Sequence, residues 1–210
     1  MSRHRTQPDS NVLAGAIGVI SRVGPARFTL ADVAAEVGLA PATLLQRFGS
    51  KRGLLLAVAG QAAAGVEECF SQARSLNRSP LAALNATLRE MTRYTGTREE
   101  MANGLAFLEL DLTDPEFRRL ARRSSKAILA GYRKLLDDAI AARELVACDT
   151  GRLARAIQAL ANGSMLQWAI HGEGHLGDWL RRDVATLMDP FRARKNKVRR
   201  ASASRLSQRT

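Results

Sequence analysis

Apolar positions along most of this chain recur every three or four residues, the period of an α-helix with one buried stripe. Val12, Leu13, Ala16, Ile17 and Ile20 share such a face. They predict a helix over 11–23, after an Asp9-Ser10 cap and before a Gly24-Pro25 stop. Phe28 then anchors the chain. Thr29, with Asp32 three residues on, resembles a capping box with Asp in place of Glu. It opens a short helix over 30–37 whose Val33, Ala34 and Val37 face inward. Gly38 breaks that helix and leads into "GLAPATLLQRFGSK". There Pro41 suits a first helical turn, and Leu44 and Phe48, four apart, share a buried side. Opposite them stand Ala42, Thr43, Gln46 and Arg47, which are small, polar or cationic.

From Lys51 the pattern runs without a breaker to about residue 73. Ser79-Pro80 opens a fifth helix that ends near residue 95. Thr97 and Glu100 are the two ends of a capping box, and a sixth helix follows to 112. Thr113-Asp114-Pro115-Glu116 caps a seventh that reaches about 143, and an eighth spans about 150–170. "HGEGHLG" reads as a loop. A ninth helix runs over about 178–188 and is stopped by Pro190. Runs of Val, Ile, Thr and aromatics are nearly absent, so the expected class is all-α with about nine helices. The expected units are an N-terminal three-helix domain over 1–55, a larger helical domain over 56–191 and a basic tail over 192–210.

Charge sharpens this division. The chain of 210 residues carries a net +12. Residues 1–55 hold seven Lys/Arg against three Asp/Glu, residues 56–189 hold seventeen of each, and residues 190–210 hold eight Lys/Arg and no acid. A polyanion met by the ends fits this distribution, and a basic catalytic cleft in the middle does not. The tail reads as a solvated extension that adds salt-sensitive attraction to nucleic acid. A chain of this length buries roughly two-thirds of its unfolded surface and needs no disulfide or metal staple. Cys69 and Cys148 sit in no metal or redox spacing. No apolar run approaches the roughly 20 residues needed to span a bilayer, and "MSRHRTQPDS" lacks the apolar core of a secretion signal. The expected location is the cytoplasm, with no membrane partner.

Two short helices joined by a glycine-containing turn, after a longer one, form the arrangement of a helix-turn-helix DNA reader. The second of the pair enters the major groove. Gln46 is suited to adenine, Thr43 offers a hydroxyl and a methyl, and Pro41 and Ala42 allow close approach to thymine methyls. Arg47 and Lys51 stand where phosphates flank the groove, with Arg27 as a further cation. Thr29 is placed to offer its hydroxyl and nearby amides to another phosphate.

"FTLADVAAEVGLAPATLLQRFGSKRGLLLAV", residues 28–58, resembles the DNA-binding segment of the TetR family of transcriptional regulators. Phe28-Thr29, Val33-Ala34, Gly38-Leu39, Thr43-Leu44, Arg47-Phe48, Lys51 and Leu54-Leu55 carry the resemblance, which covers roughly residues 10–58. One position departs from it. The family usually has a phosphate-contacting Tyr where this chain has Leu45, which donates no hydrogen bond and is left to meet a thymine methyl.

The resemblance implies a homodimer that binds a near-palindromic double-stranded operator and is released by a small-molecule effector, a repressor in the usual case. It also implies that the larger domain holds the effector pocket and a dimer interface made by the last two long helices. Pocket candidates are Met91, Phe107, Leu108, Glu109, Asp111, Tyr132, Met165 and Trp168. Glu109 and Asp111 are two apart, so on a helix they point in different directions and make no catalytic pair. Dimer candidates are Ile157, Leu160, Ser164 and Gln167 on the eighth helix, and Leu180, Val184 and Leu187 on the ninth.

His171, Glu173 and His175 lie within five residues, but glycines separate them and no fourth ligand is evident. No Ser-His-Asp order, phosphate-cradling glycine loop or HExxH appears. The chain therefore reads as a non-enzyme without cofactor or metal. The alternatives are a redox-responsive regulator using Cys69 or Cys148, and a sequence-independent architectural DNA binder that relies on the tail.

Overall fold

Side chains that cap free backbone amides set most of the helix starts. The computed structural model describes residues 7–93 and 95–193. Among the described residues the elements are α1 (Asp9–Val23), α2 (Leu30–Val37), α3 (Pro41–Phe48), α4 (Lys51–Leu76) and α5 (Pro80–Met91). After these come α6 (Arg98–Thr113), α7 (Pro115–Ala141), α8 (Thr150–His171), α9 (Leu176–Met188) and a 3₁₀ turn at Asp189–Phe191. Reciprocal capping boxes close α2 through Thr29 and Asp32 and α6 through Thr97 and Glu100. Ser50, Ser79, Asp114 and Asp149 cap α4, α5, α7 and α8.

Two boundaries depart from the sequence expectation. Asp9 and Ser10 lie inside the first turn of α1, which begins after Pro8 without a side-chain cap. The Asp9 carboxylate instead meets Arg47 at 3.3 Å. The fifth helix stops at Met91 and not near residue 95. There the Thr92 hydroxyl donates back to the carbonyls of Leu88 and Arg89, a local competition with the helix ladder.

Two hydrophobic cores share α4. The first gathers α1, α2 and α3 around Phe28, Val33, Leu44, Leu54 and Val58, and Phe117 of α7 is buried in it, with Phe107 and Leu110 of α6 packed alongside. Residues 1–55 thus do not close this head alone. The second core, the body, centres on Phe70, Tyr132, Leu136, Ile157, Trp168 and Leu180. α4 and α7 lie side by side and point the same way. Arg52 meets Asp114 at 2.7 Å and Glu116 at 2.6 Å near one end, and Arg74 meets Asp138 at 3.1 Å near the other.

By length and composition, α4 is apolar enough to cross a membrane. Its many alanines raise the mean hydropathy although Gly53, Gly60, Gln61 and Gly65 interrupt any continuous run of large apolar side chains. In this fold α4 is the shared core helix, with Leu54, Leu55, Val58, Val66 and Phe70 buried.

Four of the seven residues expected at a dimer interface, Ile157, Ser164, Leu180 and Val184, are buried within the protomer. Ile157, Leu180 and Val184 are buried in the body core, where α8 packs on α9, and the buried Ser164 donates its hydroxyl to Asp183 at 2.5 Å. Leu160 and Leu187 are half-buried against the same core, and Gln167 is exposed. A three-and-four spacing reports a buried face without naming what buries it. The outward face of α8 instead carries Leu166 and Ile170, 43% and 70% exposed. The segment after α9 is held as far as Ala193, whose amide donates to the Glu144 carbonyl at 3.0 Å. The basic tail expected over 192–210 lies, from residue 194 onward, outside the described residues.

Candidate nucleic-acid interface and effector cavity

The turn between α2 and α3 is a Schellman motif. Gly38 adopts φ 68°, its amide donates to Ala35 at 3.4 Å, and the Leu39 amide reaches Ala34 at 2.9 Å. A left-handed residue is needed there, which glycine supplies at least cost. The turn delivers α3 with Leu44 fully buried and Pro41, Ala42, Leu45 and Gln46 exposed on the other side. Thr43 is half-buried, and Leu45 keeps 53% of its surface exposed. α3 has neither a side-chain cap nor an acid in its first turn. Its positive end is therefore open to an anion.

All three acids of the head are spent internally. Glu36 pairs with Arg22 at 2.6 Å, Asp9 with Arg47 at 3.3 Å, and Asp32 caps α2. Hydrogen bonds from the Thr29 hydroxyl and then its amide, helped by Lys51, hold the Asp32 carboxyl below its ordinary range. No acid is left to repel a phosphate backbone from this surface.

The same contacts engage three residues expected at phosphates. The Thr29 hydroxyl donates to Asp32 Oδ2 at 2.8 Å and accepts from the Asp32 amide at 3.2 Å, and the Thr29 amide donates to Asp32 Oδ2 at 2.7 Å. Its polar groups are committed within the protein. Arg47 is half-buried and donates to the Gln7 carbonyl at 2.7 Å as well as to Asp9, which ties the start of α1 to α3. Lys51 Nζ donates to the Ala26 carbonyl at 2.6 Å and lies 4.6 Å from the Phe28 ring centre. Arg27 is exposed, with its Nε on the Val23 carbonyl at 2.9 Å.

Between head and body lies a cavity of about 830 Å³, walled by α1, α4, α6 and α7 with contributions from α5 and α8. Of the expected pocket residues, Phe107 and Asp111 line it. They are one turn apart on α6. Asp111 is half-buried, and burial raises its carboxyl pKa. Glu109, Leu108 and Met91 are exposed elsewhere. Tyr132 and Trp168 are core residues and Met165 packs against the same core. The Trp168 indole N–H is held by the Gly174 carbonyl at 3.1 Å.

Sequence reasoning missed most of the wall: Ile17 and Ser21 of α1, Gln61 of α4, Asn103 of α6, Ser124 of α7 and Gln158 of α8. The one available signal was a polar residue on an otherwise apolar helix face, as at Gln61 and Asn103.

Burial pushes both the Cys69 and Cys148 thiols up, reinforced by Glu90 for the first and by Asp149 and Asp137 for the second. That disfavours the reactive thiolate. His171 stacks on Trp179 with ring centres 6.0 Å apart. Among the described residues no group of three His, Cys, Asp or Glu is placed to hold a metal ion.

Residues 12–58 match the family described as bacterial regulatory proteins, tetR family, and residues 80–191 match the BetI-type transcriptional repressor, C-terminal family. Among proteins of curated function, none matches the chain in sequence. Three solved structures illustrate its fold. A TetR transcription regulator from Haloarcula marismortui is 14% identical with a TM-score of 0.70, covering 87% of this chain and 97% of that one. A TetR transcriptional regulator from Legionella pneumophila is 16% identical with a TM-score of 0.67, covering 90% and 100%. SmeT, the repressor of the Stenotrophomonas maltophilia multidrug efflux pump SmeDEF, is 16% identical with a TM-score of 0.63, covering 90% and 93%.

Proposed function

Because this chain belongs to the TetR family of bacterial regulatory proteins, we propose that it is a homodimeric repressor whose operator binding is relieved by a small molecule in the cavity between head and body. The observation that carries the DNA half is α3 itself. Its Leu44 is fully buried while Pro41, Ala42, Leu45 and Gln46 stand exposed on a surface whose acids are all internally engaged. Small and polar side chains on the outward face of a short helix suit base edges in the major groove. Arg27 and the open end of α3 suit phosphates, which fix register more than sequence.

The BetI-type repressor match over 80–191 and the likeness to SmeT support repression over activation. Two copies related by a two-fold axis set their reading helices about 34–36 Å apart, one turn of duplex, on a near-palindrome. The exposed Leu166 and Ile170 on α8 suit the contact between copies.

The cavity gives release a physical route. Ala14, Ile17 and Ser21 of α1 form part of its wall, so an occupant touches the head directly. A ligand that prefers one head position over another shifts the spacing of the two α3 helices, and ligand and operator then oppose each other by about 1–3 kcal/mol. Both cysteines lean toward the unreactive thiol, which disfavours a redox switch.

Selection of bound fragments from a random DNA pool tests the proposal. An inverted repeat is the expected product, with adenine preference at one position of each half-site lost in Gln46→Ala. Capture without sequence preference would overturn it.

A further inference from the structure

The cavity between α1, α4, α6 and α7 is chemically one-sided. Its wall is mostly apolar, with Ile17, Ile20, Val58, Phe107, Leu120 and Ile128 prominent. Among its described lining residues none is Lys, Arg or His, and two are carboxylates, Glu90 and Asp111. Glu90 is exposed and pairs with Arg93 at 3.2 Å. Asp111 is half-buried, and no hydrogen bond or ion pair to it is present among the described residues. A carboxylate drawn out of water without a partner is costly, and its pKa is accordingly pushed up.

Two side-chain amides of the wall are already used as donors. Asn103 Nδ2 donates to the Ser21 and Arg22 carbonyls, and Gln158 Nε2 donates to Ser125 Oγ at 3.3 Å. At the same wall, Gln61 Oε1 is buried with no donor at all. Among its described lining residues the wall therefore offers two unpartnered acceptors, Asp111 and Gln61 Oε1, and neutral serine hydroxyls, but no cation. α7 keeps its cations out of the cavity by helical geometry. Ser124, Ser125 and Ile128 face it, while Arg118, Arg119, Arg122, Arg123 and Lys126 line a groove on the opposite side with Glu67.

On the reading of this cavity as the effector site, we infer that its occupant is an apolar molecule with a cationic head, a protonated amine or its equivalent, held by Asp111. The charged donor satisfies the carboxylate in a partly desolvated site, where charge-assisted bonds are strongest. Phe107, one turn before Asp111, adds an aromatic surface for the same cation. An anionic ligand finds no counterion in the wall and is repelled by Asp111.

Calorimetric titration of the full chain with adamantylamine, adamantanol and adamantane carboxylate tests this without DNA. The three probes share one apolar cage and differ in the head group. Adamantylamine is expected to bind about tenfold tighter than the alcohol or better, as a charged hydrogen bond warrants, with the carboxylate weakest. Asp111→Asn should erase the amine's advantage and leave the alcohol unchanged. Ser124→Arg, which sets a cation in the wall, should reverse the order in favour of the carboxylate. Carboxylate binding as tight as the amine, an amine advantage that survives Asp111→Asn, or no binding by any probe would each overturn the inference. Amine preference without any effect on operator affinity would support the ligand class while sinking the effector reading, so the two fail separately.

Discussion

Asn103 of α6 donates its side-chain amide to the carbonyl oxygens of Ser21 at 2.8 Å and Arg22 at 3.0 Å, in the last turn of α1. Carbonyls in a final turn lack partners within their own helix. A residue of the body therefore caps the helix that starts the head. The other end of the same amide lies against Gly24, at φ 85°, where an added Cβ would come within 2.6 Å of Asn103 Oδ1. Asn103→Ala should cost about 1 kcal/mol, and Asn103→Asp, which turns an anion onto two carbonyls, about 1–3 kcal/mol. Urea denaturation of the three proteins measures the order, and an Asp variant as stable as the Ala variant would refute the cap.

Close packing of α4 on α7 depends on Gly131. A Cβ there would lie 2.5 Å from the Phe70 ring, which also meets Tyr132 edge-on at 5.2 Å. Gly131→Ala should destabilise by about 1–3 kcal/mol through overpacking. Adding Phe70→Leu should recover part of that loss, since neighbours in contact do not add. Strict additivity in chemical denaturation would show that the ring and the glycine are independent.

The proposed contact between copies separates two kinds of variant. Ile170 is 70% exposed and Ile157 is fully buried in the protomer. Ile170→Asp, alone or with Leu166→Asp, should yield folded monomers by sedimentation and weaken operator binding. Ile157→Asp should instead lose helical circular dichroism, because it buries an unpaired charge. A dimer that survives both outward substitutions moves the interface elsewhere.

Acid sensitivity has a definite sign. Asp32 is held below the ordinary carboxylate range by Thr29, Asp114 by the Arg52 guanidinium, and Asp149 by the Arg152 amide. The unfolded chain binds protons first as pH falls through about 4. The stability these groups contribute is thus complete above about pH 4 and is lost below it, toward their lowered folded values. Asp111 works the other way, since its raised folded value costs stability as pH climbs through its titration. Thermal unfolding from acid to neutral pH should show a steeper acid loss in the wild type than in Asp114→Asn. Asp111→Asn should be no less stable than the wild type at neutral pH without ligand.

Helix number, most caps and the turn before α3 were legible in the sequence because each is decided within a few residues. Thr29 and Asp32, Thr97 and Glu100, and the left-handed Gly38 act on their immediate neighbours. Of the outward set Ala42, Thr43, Gln46 and Arg47 expected opposite Leu44, Ala42 and Gln46 are exposed, while Thr43 and Arg47 are half-buried. The resemblance over 28–58 rested on the same local signals and named the TetR family. Tertiary structure alone decided what each buried face meets. Spacing marked Ile157 and Leu180 as buried but left open whether a partner or the same chain covers them, and α8 covers α9. Spacing also set Glu109 and Asp111 on different sides of α6, while the neighbouring α1 and α7 determined that Asp111 borders the cavity. Arg47 and Lys51 look like free cations in a string of letters. They meet Asp9 and the Ala26 carbonyl because folding brings distant segments together. A period of three or four residues encodes that a face is hidden, and only long-range packing supplies its partner.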